Sequence, residues 1–262
     1  MSTPPILRNK YYDHASLFDP HSLIREARRQ KGLNQCKVPA FCVLDPDGDL
    51  SRHLRDSDVP TNDCWACYHT EMRNLQLGDI AVGVVGCAVG APFAVLVAEQ
   101  LFASGCEFLV SITSAGQLAK HKSPPYFQLI DRCMRDEGTS YHYLPPSEYV
   151  TLRSELGSLA DAIIAATPDL IRGGTWTTDA PYRETAEATK IIAEAGLLAV
   201  EMEAAALYAF AQASKKDIIC FAHITNQMAT IENDFEKGHN KGNTAMTELI
   251  QTVISLQSKN KG

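Results

Sequence analysis

Ile80 to Ala98 is a run of 19 consecutive uncharged residues, and it limits what the chain can fold into more than any other stretch. A run of that length approaches what a helix needs to cross a bilayer. Its punctuation excludes that reading. Gly83, Gly86, Gly90 and Pro92 interrupt the run, and Asp79 and Glu99 bracket it. The valine-rich first half predicts a strand over Ile80 to Val85. Gly86 to Pro92 reads as a turn. Phe93 to Ala103 reads as a helix with Pro92 near its first position, where proline is tolerated. This is a strand, glycine-rich turn, helix unit whose turn can bring backbone close to a ligand. Its spacing fits neither a dinucleotide fingerprint nor a P-loop.

Similar units recur along the chain. Ser22 to Gln30 predicts a short helix with Arg25, Arg28 and Arg29 on its exposed side. Pro39 to Asp45 predicts the first core strand, ending in the tight turn Asp45-Pro46-Asp47-Gly48-Asp49. A glycine turn at a strand end exposes N–H groups, and Arg52 adds a forked cation, a combination suited to an anion. A plain Asp-Gly turn is the alternative. Phe108 to Thr113 predicts a buried strand running into Ser114-Ala115-Gly116, at the end where open α/β sheets hold ligands. Strands are further predicted at Phe127 to Ile130, Ile171 to Thr177 and Ile218 to Thr225, the last ending in Asn226. Helices are predicted at Leu152 to Ala166, at Thr185 to Ala195 before Gly196, and at Asn243 to Leu256, with frayed residues after it. Pro145-Pro146 marks a surface loop. Alternation of strand and helix without a repeat or linker predicts one α/β domain, residues 38–262, preceded by an extension over residues 1–37.

The formal net charge is −7 across 262 residues, with no basic run to offset it. That argues against nucleic-acid or anionic-membrane partners. The polar start, Met1 to Pro5, predicts no secretory signal and a cytoplasmic protein. Eight cysteines are scattered singly except Cys64 and Cys67. No second ligand pair stands at zinc-finger spacing, so free structural thiols in a reducing compartment are expected, and no metal.

Ala199 to Ala211 carries the most chemistry. An apolar run, Leu197 to Val200, passes into an alanine-rich helix with Glu201 and Glu203 at the junction. A helix start favours ionised carboxylates, whose two acceptor oxygens suit the cis-diol of a ribose. Met202 between them offers an adaptable apolar face for a sugar. An ordinary helix start with two acids is the alternative.

Together these stretches resemble the nucleoside phosphorylases related to uridine phosphorylase and the bacterial hexameric purine nucleoside phosphorylases. The resemblance runs from about Val38 to Asn226. Val200-Glu201-Met202-Glu203-Ala204 is similar to the family's ribose signature, and Thr177-Thr178-Asp179 to its segment before the base site. Gly48-Asp49 with Arg52 is similar to its phosphate turn, and Gly86 to Pro92 to its glycine turn. Ser114-Ala115-Gly116 is similar to its phosphate and ribose turn. The resemblance implies a three-layer α/β/α sandwich around a mixed, partly barrel-like sheet. It implies a pentosyltransferase that cleaves an N-glycosidic bond with inorganic phosphate, giving ribose 1-phosphate and free base. It also implies a homo-oligomer, dimer or hexamer, with no cofactor.

The implied roles are these. Glu203 holds the ribose diol and faces the oxocarbenium-like sugar, Met202 packs on it, and Glu201 supports the site. Gly48, Arg52 and Ser114 cradle phosphate, and Gly116 shares the turn. Asp179, Tyr182 and Arg183 border the base, with exposed loop residues the alternative reading of the last two. A histidine serving a neighbouring subunit's ribose 5′-hydroxyl would be His14 or His21, but no motif anchors either and both read as surface histidines; His223 sits in a core strand. Two features depart from the pattern. Ser111 stands where the phosphorylases place an arginine, which related hydrolases also lack. Asn226 replaces the aspartate of purine members; an amide can hydrogen-bond a leaving base but cannot donate a proton to it as an acid does. That favours oxo-bases, uridine or inosine and guanosine, over adenosine. The hydrolase, and a binding protein without turnover, remain alternatives.

Overall fold

A computed structural model describes residues 3–228, 232 and 234–260. In chain order it contains α1 (Pro20–Lys31), β1 (Phe41–Asp45), α2 (Asp49–Asp56), β2 (Met72–Leu77), β3 (Ile80–Gly86), α3 (Ala91–Ala103), β4 (Phe108–Gln117), β5 (Tyr126–Asp136), β6 (Tyr149–Thr151), α4 (Gly157–Ala166), β7 (Ile171–Thr178), α5 (Ala186–Glu194), β8 (Leu197–Glu201), α6 (Ala204–Ser214), β9 (Asp217–Asn226) and α7 (Asn243–Asn260).

The strands form one mixed sheet, part of which closes on itself. β4 pairs with β8, β8 with β7, β7 with β5, β5 with β9, and β9 returns to β4, a barrel of five strands. β1, β3 and β2 extend the sheet from β4, and β6 adds to β5. β4 makes the closure possible. Its Phe108–Ser111 half lies between β1 and β9, while Gly116 and Gln117 turn to β8. The turn falls at an irregularity between Ala115 and Gly116. A strand buried on both faces reads as a near-continuous apolar run, which is why Phe108 to Thr113 is so easily read as core. One helical layer packs α3 against α1 and α6; the other packs α7 against α2 and α4. This is the α/β/α architecture expected, with the barrel at its centre.

α6 shows why the alanines are there. Every residue from Ala204 to Ala211 is buried, and small side chains let the helix sit close to the barrel. Its Tyr208 hydroxyl donates to the Ile130 carbonyl of β5 and accepts from the Cys220 N–H of β9, tying two barrel strands together.

Several expectations need correcting. Ser114 to Gly116 continue β4 instead of following its end. The strand expected at Phe127 to Ile130 runs to Asp136, and the helix expected from Leu152 begins at Gly157. β2 and β6 went unread, because Met72–Leu77 mixes polar residues at an edge and Tyr149–Thr151 has only three residues. α7 continues to Asn260; residues 261 and 262, and Met1 and Ser2 at the other end, lie outside the described residues. On α1, Arg25 and Arg29 face solvent but Arg28 is buried. It donates to the carbonyls of Asn34 and Cys64, so it anchors the loop beneath it. Cys64 is not a free thiol: it forms a disulfide with Cys36. Their separation of 28 residues leaves no local signal. The pairing arises because α1 lies across the loop that carries Cys64 and Cys67, where Lys31 also donates to the Cys67 carbonyl. Cys67 remains a buried free thiol.

Candidate active site

The ends of β1, β3, β4, β8 and β9 gather one set of polar groups. On the β1 side, Asp45 is fully buried and folds the turn around itself. Its Oδ1 accepts the Gly48 N–H at 3.1 Å and its Oδ2 accepts the Ser51 N–H at 2.9 Å. Burial pushes its carboxyl up to about 6, and the neighbouring Asp47 and Asp49 charges add to this. Gly48 has φ 78°, and a Cβ there would stand 2.4 Å from the Cys87 Sγ and 2.8 Å from the Arg52 Nη1, so no other residue fits. Arg52 Nη2 donates to the Asp47 carbonyl at 2.7 Å and to Asp49 Oδ1 at 2.9 Å. Lys237 donates to the other oxygen of Asp49. Burial raises the Asp49 carboxyl, but these two cations outweigh it and hold it below the usual range. Asp47 reaches across to β4, where its Oδ2 accepts the Ser114 N–H at 2.6 Å. Ser111 is buried within β4, opposite Leu44 of β1 and Cys220 of β9.

On the β8 side the two glutamates differ. Glu201 Oε1 accepts from the hydroxyls of Thr175 and Thr177, and its Oε2 accepts the N–H groups of Glu203 and Ala204 at 2.7 Å each. It is therefore the cap of α6, meeting N–H groups that a helix start leaves without partners. Glu203 Oε1 accepts the Gly90 N–H at 2.6 Å and its Oε2 the Thr113 hydroxyl at 2.7 Å. Both are buried, with Glu203 1% exposed. Burial, then the Glu201 charge, pushes Glu203 up to about 8. Four donors on Glu201 against two on Glu203 put the negative charge of the pair on Glu201 and the proton on Glu203. This corrects the expectation that a helix start keeps both acids ionised. Met202 between them is half-buried.

Gly116 and Asn226 are paired where β4 and β9 end. A Cβ on Gly116 would meet Met228 Sδ at 2.5 Å and Asn226 Oδ1 at 3.1 Å. Asn226 Oδ1 accepts the Met228 N–H at 3.0 Å, and its Nδ2 donates to the Thr225 hydroxyl at 3.2 Å. Beside them opens a cleft of about 800 Å³ lined by Gln117, Leu118, Glu184, Gln227 and Met228.

Gly48, Arg52, Ser114, Gly116, Glu201, Met202, Glu203 and Asn226 thus lie at adjoining strand ends. Asp179, Tyr182 and Arg183 follow the end of β7, whose Thr177 pairs with Glu201 of β8. Asp179 is exposed and accepts the Gly138 N–H at 2.8 Å. Tyr182 is 99% exposed, and Arg183 shares its short 3-10 turn. His14 stacks on Tyr11 at the surface, and His21 is exposed on α1. His223 stacks on Phe127 at 4.4 Å, and burial with the nearby Lys237 charge pulls it down to about 4. Thr113, Gly90, Asp47 and Lys237 belong to the site without having been assigned to it. The acidic spacing of Asp45, Asp47 and Asp49 is visible in the sequence; the partner of each acid is not.

A family model described as the phosphorylase superfamily matches residues 45–255. No curated protein sequence matches the chain. Among solved structures, purine nucleoside phosphorylase from Toxoplasma gondii is similar with a TM-score of 0.68 at 14% identity, covering 85% of this chain and 93% of that one. Uridine phosphorylase from Vibrio fischeri has a TM-score of 0.68 at 16% identity, covering 85% and 95%. AMP nucleosidase from Bacteroides thetaiotaomicron has a TM-score of 0.66 at 19% identity, covering 93% and 99%. The chain belongs to the phosphorylase superfamily, a family of nucleoside phosphorylases and nucleosidases. Among the described residues no helix is long and apolar enough to cross a membrane, and no group of three or more His, Cys, Asp or Glu could hold a metal ion.

Proposed function

We propose that this chain is a nucleoside hydrolase: it cleaves the N-glycosidic bond of a ribonucleoside with water, giving ribose and free base. One observation carries the choice. The donors that a phosphate would take are already held by carboxylates of the Asp45–Asp49 turn. Asp45 accepts Gly48 N–H and Ser51 N–H, Asp47 accepts Ser114 N–H, and Asp49 holds Arg52. Ser111 supplies no second cation. An anion would have to displace like charges from a partly buried site, which costs several kcal/mol.

Glu203 stands beneath the sugar, oriented by Gly90 and Thr113. Once ionised, it faces the positive charge that develops as the glycosidic bond breaks; a preorganised charge of this kind is often the largest catalytic contribution. Asn226, beside the 800 Å³ cleft, hydrogen-bonds the departing base. Its amide suits an oxo-base, uracil or a 6-oxopurine, better than adenine. No cofactor takes part. Exposed Leu17, Phe18, Val89 and Leu96 support a homo-oligomer. Phosphorolysis is the second reading, favoured by Arg52 in its Gly48 turn, with inorganic phosphate as co-substrate.

The test is a panel of uridine, inosine, guanosine and adenosine incubated with and without phosphate, with the sugar product identified. Expected are equal rates in both buffers, free ribose, and adenosine the poorest substrate. Ribose 1-phosphate with strict phosphate dependence would return the chain to the phosphorylases, and binding without turnover would make it a nucleoside-binding protein.

A further inference from the structure

The three acids of the Asp45–Asp49 turn do different work. Asp45 points inward and holds its own turn. Asp49 is neutralised by Arg52 and Lys237. Only Asp47 leaves the turn, crossing from the β1 end to the β4 end, where its Oδ2 takes the Ser114 N–H at 2.6 Å. It has no cation of its own among the described residues. The flanking groups fix it in place: Pro46 restricts the backbone before it, and its carbonyl is held by Arg52 Nη2 at 2.7 Å. The result is a half-buried carboxylate, without a cation among the described residues, seated on the Ser114 N–H within β4, the kind of donor an oxyanion needs.

We propose that Asp47 is the residue that selects the nucleophile: its carboxylate occupies the Ser114 N–H and repels phosphate, so that water attacks the sugar. The inference rests on the hydrolase reading above. It goes further by naming one side chain as the cause. In the water reaction, the water oxygen bonds to C1′ as the glycosidic bond breaks with its electron pair on the base, and a water proton ends on the base. With hydrogen phosphate as nucleophile, a phosphate oxygen bonds to C1′ as the glycosidic bond breaks with its electron pair on the base, the phosphate's proton ends on the base, and the product is ribose 1-phosphate. Removing Asp47 should open the second route, because the Ser114 N–H is then left for a dianion, beside an Arg52 whose Nη2 stays with Asp49 but whose Nη1 meets only the Cys87 Sγ among the described residues. Discrimination by an unfavourable charge is a general way of excluding a competing ligand.

The experiment compares wild type, Asp47→Asn and Asp47→Ala on one nucleoside across a phosphate titration, with products separated. Phosphate binding is followed independently by calorimetry, and folding by circular dichroism. Asp47→Asn keeps an acceptor for the Ser114 N–H and removes only the charge, so it reports even if Asp47→Ala fails to fold. Wild type should ignore phosphate. The Asn variant should bind it, and the Ala variant should make ribose 1-phosphate with a phosphate stimulation of up to about 10²-fold, the scale of a single charge-stabilising contact. Folded variants that neither bind phosphate nor form ribose 1-phosphate would overturn the role of Asp47 while leaving the hydrolase reading standing. A wild type that already depends on phosphate would instead overturn the hydrolase reading, and this inference with it.

Discussion

Glu201 and Glu203 are two positions apart and equally enclosed, yet their partners set them in different charge states. Four hydrogen bonds keep the charge on Glu201, whereas Glu203 has two and sits beside that charge. Burial and the Glu201 charge hold that proton firmly in the free protein, and cationic character in a nearby sugar would favour its loss. Glu203→Ala is therefore expected to lower kcat/KM by about 10²–10³, the usual effect of losing one preorganised electrostatic contact. Circular dichroism should remain that of wild type. Glu201→Ala should lower Tm more than Glu203→Ala does, since it leaves the N–H groups of Glu203 and Ala204 and two threonine hydroxyls without their acceptor. Steady-state kinetics and melting curves on both variants check the contrast; a Glu203→Ala enzyme with wild-type turnover would remove Glu203 from the reaction.

Among the elements, β3 and α2 meet so closely that one residue decides their spacing. A Cβ on Gly86 would lie 2.4 Å from the Ser51 Cβ and 3.1 Å from the Gly48 Cα. Gly48 belongs to the turn that carries Asp47, and Ser51 to the start of α2 beside Arg52, so the chain cannot yield there without moving the site. Gly86→Ala should destabilise the fold by about 1–3 kcal/mol through overpacking, and should lower activity beyond that, because the strand end shifts against β4. Chemical denaturation together with kcat on the surviving folded fraction separates the two effects. A variant as stable and active as wild type would mean that the contact relaxes freely. The glycine was legible in the sequence as a turn signal. Its contact was not, since Ser51 and Gly86 are joined only when β1 and β3 pair.

For the whole molecule, the buried proton on Glu203 makes stability depend on pH. The folded carboxyl titrates near 8, against an ordinary value of 4.5. Between these values the folded chain keeps a proton that the unfolded chain has lost, so stability falls as pH rises. His223 acts in the opposite sense: its folded value near 4 against 6.5 means that only the unfolded chain takes up a proton in that window, so its contribution rises with pH. The two oppose each other below about pH 6.5; Asp45 and Glu184, pushed up by burial to about 6 and about 7, act in the same sense as Glu203, so that Glu203 dominates only above about pH 7. From there to about pH 8, unfolding free energy should fall by at most about 1.4 kcal/mol per unit, and Glu203→Gln should flatten the slope. Urea titrations at four pH values across that range measure it, and an unchanged slope in the variant would place the proton elsewhere.

The alternation of strand and helix, the glycine turns and the alanine helix were all readable along the chain, because periodicity, propensity and turn chemistry act over a few residues. So was the ribose-like run at Glu201 to Glu203, as a cluster of acids at a strand-to-helix junction. Only the tertiary structure closed β4 onto both β8 and β9, joined Cys36 to Cys64 and buried Arg28. It also left Tyr182 exposed, gave the Ser114 N–H to Asp47, and left Glu203 with the proton. Each of these depends on which groups meet across tens or hundreds of residues, and on how little water remains between them, and neither quantity is encoded by neighbours in sequence.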